Sequence, residues 1–524
     1  MMARRILDLF RTYPRVTWLR PGFWGQQTGR QAVPAAPVIA VQLVPDSFYV
    51  VFFGALIHAI RGRLDVQVEG VVVRSINSGT GIGVRALLQR SALFTALYCR
   101  PWRNAFGRLM DRSAYCSNSP RCVADLRDWR RAGELWAAMN VDQDLLDLRV
   151  DGVLVGDLVV DTYLRYRPSP EFRLRDPFVR RVIWQALRDV RRAEDYFKVR
   201  KPVVYITSHT TYLEHGIAAR VALTRGVDVW SFGSLAKVGK KISLSDPFHT
   251  PDASAYRTRF DQLPNQAELL VMADEQLSFR LSGGIDSATS YMRQSAYGQQ
   301  QADLPSGLEG AVVVFLHDFY DSPHVYGGLV FPEFWRWICF TIDVLRESGI
   351  PFFLKPHPNQ ISLGASVLDD LKQRYQGLLW LDQSAGNNRL ASAGIACGVT
   401  VYGTVAHELA YLGVPSIACA RHPHHTFDFC RTAQTESEYR RLLQDYRSCS
   451  LDREEMRRQA LAYYTMHNLL DQPQARQLQQ KYAALWKACN DSNATGESVC
   501  GLTRAVQADP EFSRICDEIA AGRA

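Results

Sequence analysis

The feature that most constrains the fold of this chain is a repeated alternation of short apolar stretches with segments of helical spacing. Such stretches predict strands of a parallel sheet, because the crossover helices of βαβ units bury both faces of that sheet. In the first half, strands are predicted at residues 37–44, 66–73, 153–160, 202–207 and 227–232. Helices are predicted there at residues 47–60, 82–150, 178–197 and 212–225.

A second series with the same alternation follows a polar stretch at residues 298–310, which we interpret as a linker. Its predicted strands lie at residues 311–316, 351–354, 378–381, 395–402 and 415–420. Its predicted helices lie at residues 331–347, 363–375, 405–412, 436–447 and 452–488. A chain of 524 residues is too long to fold around a single hydrophobic core. The predicted fold class is therefore α/β, with two doubly wound, Rossmann-like domains facing a cleft and a helical C-terminal segment.

Four regions are predicted along the chain. They are a basic aromatic segment at residues 1–32, a first Rossmann-like domain with helical insertions at 33–297, a second Rossmann-like domain at 311–490 and a tail at 491–524. In doubly wound sheets, ligands bind in the crevice beyond the carboxyl ends of the strands. Functional side chains are therefore expected where predicted strands end.

Composition and net charge indicate which kinds of ligand or surface the chain could bind. Hydrophobic residues make up 47% and charged residues 22%, which is typical of a folded protein rather than a disordered one. The net charge of +8 suits a phosphate-bearing ligand or an anionic membrane surface, and it requires no nucleic acid. Residues 1–30 contain six arginines, one acid and interleaved aromatics. This segment predicts either a peripheral contact with an anionic membrane or a basic terminus that frays.

The chain is predicted to act in the cytoplasm, and the membrane-contact alternative would place it peripherally on the inner face of the plasma membrane. Residues 1–30 lack the continuous apolar region of a secretory signal, and the most apolar stretch, residues 50–60, is too short to span a bilayer. The 11 cysteines include no Cys-x-x-Cys pair. They therefore fit a reducing compartment rather than a disulfide framework or a zinc site.

The segment TVYGTVAHELAYLGVPSIAC, residues 400–419, combines a predicted strand end with a helix start. The strand ends at Gly403, and Thr404 then occupies the N-cap position of the next helix. His407 and Glu408 fall in its first turn, where free N–H groups and the helix dipole favour a phosphate. Glu408 can also accept hydrogen bonds from ribose hydroxyls. An ordinary α/β crossover with a capped helix would produce the same pattern.

Two further polar segments follow predicted strands of this second series. Lys355 and His357 lie in a Lys-Pro-His-Pro turn, whose prolines stiffen the backbone, so both side chains can point at one anionic group. His317 and Asp318 follow the first strand of the series and are predicted to contact the ligand there. A histidine in a proline-rich loop is also a common turn residue.

Three histidines, His422, His424 and His425, lie in the loop after the last predicted strand. Their spacing matches no zinc pattern, and no cysteine pair accompanies them. We therefore predict no metal site and interpret this segment as a loop that touches the ligand.

Three residues of the first half are predicted as general bases. His209 stands between a predicted strand and the next helix, and Asp157 and Asp161 lie near the turn around residues 153–160. A hydroxyl that attacks in a group transfer needs a base to take its proton. For either aspartate, a capping or turn-forming role is the alternative.

The stretch LSGGIDSA, residues 281–288, matches the Ser-Gly-Gly-x-Asp-Ser signature of the ATP pyrophosphatases. In that family the loop follows a buried strand and holds pyrophosphate. The preceding residues 267–281 are interrupted by charges and predict a helix. We therefore interpret Gly283 and Gly284 as a turn between helices, with an ATP site as the alternative.

Taken together, KPHPN and YGTVAHELAYLGVP resemble elements of capsule and lipopolysaccharide biosynthesis proteins, a group of GT-B glycosyltransferases that includes the Kdo transferases. The resemblance covers residues 311–435 and, more weakly, 151–235. The family pattern has Glu-Ala where this chain has Glu408-Leu409. The resemblance implies a metal-independent transferase without a cofactor, with Lys355, His357, Thr404, His407 and Glu408 at a nucleotide-sugar donor.

The same resemblance implies an acceptor domain over residues 33–297 and a donor domain over 311–490. The implied donor is a CMP-linked Kdo or nonulosonic acid, and the implied acceptor is a glycan or glycolipid of a bacterial surface polysaccharide or lipopolysaccharide. Two alternatives stay open. One is an enzyme like the UDP-sugar epimerases, and the other is a non-catalytic scaffold of a polysaccharide export complex. The sequence leaves open the nucleotide, the sugar, the acceptor and the stereochemical outcome.

Overall fold

The structure is a computed structural model that describes residues 36–44, 46–72, 109–115, 122–167, 170–284, 286, 303–319, 321–357, 362–470, 472–491 and 493–522. The predicted basic segment at residues 1–32 lies outside the described residues. So do residues 82–108 of the predicted Arg-rich helical region and residues 298–302 of the predicted linker.

The first sheet has six strands in the order β3-β2-β1-β6-β7-β8, and all are parallel except β8. The strands are β1 (Val38–Gln42), β2 (Gln67–Val72), β3 (Arg112–Tyr115), β6 (Val204–Thr207), β7 (Asp228–Ser231) and β8 (Lys240–Ile242). A two-stranded ladder, β4 (Arg149–Val150) with β5 (Val153–Leu154), stands apart from this sheet. Because β2 and β6 flank β1, the strand order reverses between β1 and β6. This is the position at which doubly wound sheets bind ligands.

Helices cover both faces of this sheet, as the alternation of side chains along a parallel strand requires. They are α1 (Ser47–Arg61), α2 (Cys122–Ala138), α3 (Asp142–Leu146), α4 (Gly156–Tyr166), α5 (Pro177–Arg200) and α6 (Tyr212–Thr224). Ile39 and Val41 of β1 pack into the core that contains α1, whereas Ala40 packs into the core that contains α4, α5 and α6. The Asp46 carboxylate caps α1 by accepting hydrogen bonds from the Phe48 and Tyr49 amides.

The second sheet has five parallel strands in the order β10-β9-β11-β12-β13. They are β9 (Val312–Phe315), β10 (Phe352–Lys355), β11 (Cys397–Val399), β12 (Ser416–Ala418) and β13 (Cys430–Thr432). Its strand order reverses between β9 and β11. The helices around it are α7 (Tyr256–Asp261), α8 (Gln266–Leu281), α9 (Phe334–Glu347), α10 (Ser362–Arg374), α11 (Asn387–Ser392), α12 (Val405–Tyr411), α13 (Glu436–Gln444) and α14 (Arg453–Tyr464). The predicted α/β fold class with two Rossmann-like domains is confirmed.

The chain crosses between the two sheets more often than the predicted regions imply. Helices α7 and α8 lie within the predicted first region, yet they pack with α12 and α14 in the core of the second sheet. The last three helices, α15 (Pro473–Asn490), α16 (Gly496–Gln507) and α17 (Pro510–Ala521), return to the first sheet. There they pack with α1, where Phe52 contacts Tyr482 and Phe512. They complete the burial of that sheet face.

Three local predictions are wrong. Residues 153–160 form only the short strand β5 before α4 begins, because Gly156 and Asp157 already belong to the first turn of that helix. Within the Arg-rich region, residues 112–115 form β3, whose backbone pairs with β2. Residues 378–381 contribute a single bridge, Leu354 with Trp380, rather than a strand.

Within the described part of the chain, no helix combines the length and the apolar character needed to cross a membrane.

We expect Phe512→Ala to lower the free energy of unfolding by about 3–5 kcal/mol, because the ring is 1% exposed and its removal leaves a cavity against α1. Urea denaturation of the purified chain measures the loss. Phe279→Ala is the matched control, since this ring is 52% exposed on α8, and we expect it to cost about 1 kcal/mol or less. Equal losses in the two variants would show that α17 is not part of the core of the first sheet.

Candidate functional site

The reversal point of the second sheet brings together the loops after β9 and β11. Nε2 of His317 lies 3.0 Å from Oγ1 of Thr400 and accepts the Val401 N–H at 3.3 Å. Burial lowers the pKa of His317 to about 3, so its ring is neutral and acts as an acceptor. The predicted ligand residue His317 therefore holds the β11 loop in place.

Gly403 follows this loop as predicted, and its N–H donates to Oγ1 of Thr400 at 3.0 Å. A Cβ atom at Gly403 would lie 2.7 Å from the same Oγ1. Only glycine therefore permits this close approach of backbone to side chain.

Lys355, His357 and Asp318 gather at the ends of the neighbouring strands β10 and β9. Burial lowers the pKa of Lys355 to about 8, although the charges of Glu408 and Asp382 raise it. Burial also lowers the pKa of His357, which the Asp318 carboxylate opposes. Lys355 therefore interacts electrostatically with Glu408 of α12, and His357 interacts with Asp318 and Lys355.

Helix α12 begins after Thr404 as predicted, but it is only seven residues long. The Thr404 side chain is exposed and makes no capping hydrogen bond, whereas His407 and Glu408 are buried in the first turn. The Glu408 carboxylate accepts from Asn387 Nδ2 at 2.9 Å and from Arg280 Nη1 at 3.3 Å. A ribose hydroxyl would therefore have to share Glu408 with these two partners.

Arg280, near the end of α8, joins the site although no sequence pattern pointed to it. Its guanidinium donates to Asp286 at 2.7 Å through Nε and lies 3.3 Å from Nε2 of His407. Burial disfavours the charge, but Asp286 and Glu408 hold the pKa of Arg280 above its ordinary value. Burial, followed by the Arg280 charge, lowers the pKa of His407 far below its ordinary value. His407 is therefore a neutral acceptor.

Asp286 is the aspartate of the Ser-Gly-Gly-x-Asp-Ser stretch, and it also accepts a hydrogen bond from the Tyr464 hydroxyl. The stretch follows a helix, α8, as predicted, and Gly283 takes a positive φ of 103° in the turn that ends it. The aspartate therefore anchors Arg280.

A cavity of about 290 Å³ lies between the two sheets. Its lining combines loops of the first sheet, the Thr404 turn of the second sheet and the segment leading into α15. The lining residues are Gly233, Ser234, Leu235, Ala236, His249, Thr250, Pro251, Arg280, Tyr326, Thr404, His407, His467, Asn468 and Gln479. Two of the predicted donor residues, Thr404 and His407, therefore face the cleft.

Asp161, one of the predicted bases, forms a hydrogen bond with a residue from the other side of the cleft. Its Oδ1 lies 2.6 Å from Nδ1 of His324, which lies in the loop between β9 and α9. Burial lowers the pKa of His324, but the negative charge of Asp161 and its hydrogen bond raise it, and the pKa of His324 lies above its ordinary value. Burial raises the pKa of Asp161. The sequence contained no signal for His324, because its partner is 163 residues away.

The dyad of His324 and Asp161 does not line the cavity, but the chain that follows His324 reaches the cavity wall. Tyr326 lines the cavity two residues after His324, and Oγ1 of Thr250, another lining residue, donates to the Val325 carbonyl at 3.1 Å. A carboxylate that holds Nδ1 of an imidazole orients Nε2 as a proton acceptor. The hydrogen bond to Asp161 therefore fixes the orientation of the His324 ring.

The other two predicted bases are held differently. Asp157 forms a bidentate ion pair with Arg220 at 2.6 and 2.5 Å, and this pairing outweighs burial and lowers the pKa of Asp157. Nε2 of His209 lies 3.2 Å from the Tyr49 hydroxyl, and its ring contacts His249 edge to face. Burial lowers the pKa of His209 well below its ordinary value. His209 thus lies behind His249, which lines the cavity.

The three histidines after β12 are packed together. The rings of His422 and His424 have centroids 3.9 Å apart, and Nδ1 of His425 lies 2.6 Å from the His422 carbonyl oxygen. In the described ranges, no group of three or more His, Cys, Asp or Glu side chains could hold a metal ion.

No protein-family model and no curated protein matches the chain. Among solved structures, it is similar to the UDP-GlcNAc 2-epimerase of Methanocaldococcus jannaschii in complex with UDP-GlcNAc and UDP, with 9% identity over 80% of this chain and 97% of that one, at a TM-score of 0.25. The glycosyltransferase of kitacinnamycin matches with 11% identity over 93% and 100%, at a TM-score of 0.24. UGT2 of Phytolacca americana, complexed with UDP-2-fluoro-glucose and pterostilbene, matches with 12% identity over 90% and 100%, at a TM-score of 0.22. The functional assignment therefore rests on the residues of the site.

Replacing Arg280 by Met should cost about 3–5 kcal/mol of unfolding free energy, because it leaves the carboxylates of Asp286 and Glu408 buried without their cation. The matched control is Arg457→Met, which removes an exposed pair with Asp274 and should cost about 1 kcal/mol or less. Urea denaturation of both variants makes the comparison, and a cost at Arg280 no larger than at Arg457 would contradict the assigned network.

The dyad also predicts a pH dependence of stability. Because the pKa of His324 is raised in the folded chain, the stabilisation it gives is complete below its unfolded pKa of about 6.5 and disappears as the pH rises through the folded value. The stability advantage of the native chain over Asp161→Asn should therefore be largest below about pH 6.5 and shrink as the pH rises above that value. Denaturation on both sides of that pH tests it, and an advantage that grows with pH would contradict the dyad.

Proposed function

We propose that this protein is a glycosyltransferase that takes a sugar from a nucleotide-activated donor and transfers it to a hydroxyl group of a glycan or glycolipid. The observation that carries this proposal is the His324–Asp161 dyad, formed across the cleft and two residues along the chain from Tyr326, which lines a cavity together with Thr404 and His407. Transfer of a sugar to a hydroxyl group requires a base on one side of the cleft and groups that can bind the leaving phosphate on the other side.

In the proposed reaction, Nε2 of His324 takes the proton of the acceptor hydroxyl, and Asp161 holds the imidazole in orientation. The acceptor oxygen forms a bond to the anomeric carbon as the bond from that carbon to the leaving phosphate breaks. The electron pair of the broken bond stays on the phosphate. Lys355, His357 and the Thr404 turn are the groups assigned to hold that phosphate, because they follow β10 and β11, the two strands that flank β9 in the second sheet.

The finer parts of the proposal come from the resemblance of KPHPN and YGTVAHELAYLGVP to capsule and lipopolysaccharide biosynthesis proteins. They are a metal-independent reaction without a cofactor and an acceptor in a bacterial surface polysaccharide or lipopolysaccharide. The proposed cytoplasmic location comes instead from the lack of a signal-like stretch in residues 1–30 and from the spacing of the cysteines, and the proposed peripheral membrane contact comes from the basic aromatic segment at residues 1–32. The resemblance also names an acidic sugar, Kdo or a nonulosonic acid, as the donor. The charges of the residues that line the cavity bear on whether the donor sugar is acidic or uncharged.

The experiment is a thermal-shift screen of the full chain against CMP, UDP, GDP and ADP, followed by transfer assays with the nucleotide-sugars of the nucleotide that binds. A ligand that binds only the native state raises the melting temperature. We expect one nucleotide to do so in the native chain and to do so less in His357→Ala. No shift with any nucleotide would contradict the proposal, and conversion of the donor without an acceptor would indicate an epimerase instead.

The role of the dyad is tested separately. His324→Gln should keep the nucleotide-induced shift and lose about 10²–10⁴-fold in transfer rate, because only the proton acceptor is removed. His58→Gln is the matched control, since His58 lies in the last turn of α1, at the opposite edge of the first sheet. Native transfer rates in His324→Gln would remove the dyad from the mechanism.

A further inference from the structure

We propose that the 290 Å³ cavity binds the sugar of the donor, that this sugar is uncharged and polyhydroxylated rather than a carboxylate-bearing one, and that Asn468 and Gln479 select it. This inference rests on the proposed function and names the substrate class of the same site.

The first argument is the balance of charge around the cavity. Arg280 is the one Lys, Arg, Asp or Glu side chain among the described lining residues, and two carboxylates, Asp286 and Glu408, already neutralise it. Lys240 lies behind the wall, where its ammonium is paired with Asp246 at 2.7 Å and donates to the carbonyls of Phe248 and Thr250. A carboxylate entering the cavity would therefore meet no uncompensated cation among the described lining residues.

The three histidines of the lining do not change this balance. Burial lowers the pKa of His249 to about 3 and that of His467 to about 4, and it lowers the pKa of His407 far below its ordinary value. All three rings are neutral at pH 7. A buried carboxylate without a charged partner is strongly disfavoured, whereas hydroxyl groups need only hydrogen bonds.

The second argument is an unsatisfied donor and an unsatisfied acceptor in the same wall. Asn468 is 5% exposed, and its Nδ2 has no hydrogen-bond partner within the described part of the chain. Gln479 is 2% exposed, and its Oε1 likewise has no partner among the described residues, although its Nε2 donates to the Leu235 carbonyl at 3.2 Å. Each such group costs about 1–3 kcal/mol when buried without a partner. A hydroxyl both donates and accepts, so small rotations of these amides would let a polyol satisfy both.

The third argument is the backbone that carries Asn468. Thr465–Leu469 form a π-helical turn directly after α14, and Leu470 follows with a positive φ of 61°. Both features are rare and concentrate at functional sites, because a fold retains such a conformation only where the surroundings enforce it. The turn directs two successive side chains, His467 and Asn468, to the cavity wall.

The size of the cavity agrees with one sugar ring. A volume of about 290 Å³ lies at the lower end of the range of roughly 300–1,000 Å³ that is typical of ligand pockets, as a site for a single sugar ring would. The nucleotide would then extend from the cavity toward the loops of Lys355 and His357.

The test compares donors that share a nucleotide and differ only in a carboxylate. Calorimetric titrations of the full chain use UDP-glucose against UDP-glucuronate and GDP-mannose against GDP-mannuronate, with CMP-N-acetylneuraminate and the bare nucleotides alongside. We expect the uncharged member of the pair whose nucleotide binds to bind at least tenfold more tightly than its acidic partner. Equal or tighter binding of an acidic sugar, while the bare nucleotide binds, overturns this inference and leaves the glycosyltransferase proposal standing. Absence of binding by every nucleotide and nucleotide-sugar overturns both.

The selecting residues are tested by Asn468→Ala and Gln479→Ala. Each should weaken binding of the uncharged nucleotide-sugar at least fivefold and leave the affinity for the bare nucleotide unchanged. The matched controls are Asn490→Ala and Gln480→Ala, which alter exposed side chains of α15 and should change neither affinity. If one of the two variants fails to fold, the other variant and the titrations of the native chain with the donor pairs still test the inference. Parallel loss of nucleotide and nucleotide-sugar binding would show a structural role instead.

Discussion

Burial of both faces of the first parallel sheet is the constraint on which the remaining structure depends. One face is covered by α4, α5 and α6, which are close in sequence, but the opposite face needs α1 together with α15, α16 and α17 from the end of the chain. Because the second sheet lies between these segments in sequence, the chain has to cross the cleft to reach that face. The crossing places Asn468 and Gln479 beside the cavity.

Burial also determines how the charged side chains of the cleft are paired. A buried guanidinium requires carboxylates, and Arg280 has Asp286 on its own segment and Glu408 on α12. Once these groups are paired, the chemistry of the cavity is left to neutral histidines, amides and hydroxyls. The His324–Asp161 dyad is the contrasting case, because its partners come from opposite sides of the cleft and the pair raises the pKa of His324.

Much of the fold was predictable from local patterns. Apolar runs located most strands of both sheets, and the carboxyl ends of those strands located Lys355, His357 and Thr404 at one sheet edge. Prediction failed where a local pattern was overridden. Residues 153–160 are apolar enough for a strand, yet Gly156 starts a helix there. Residues 378–381 pair through one bridge only, at Trp380.

The sequence by itself determined the alternation of strands and helices, the fold class, and which polar residues stand at strand ends, because periodicity and turn chemistry are local properties. The partnership of His324 with Asp161, the inclusion of Arg280 and the position of Asn468 and Gln479 were decided by tertiary structure alone. These residues come from separate segments, and no local spacing records which segments meet once the apolar faces of both sheets are covered.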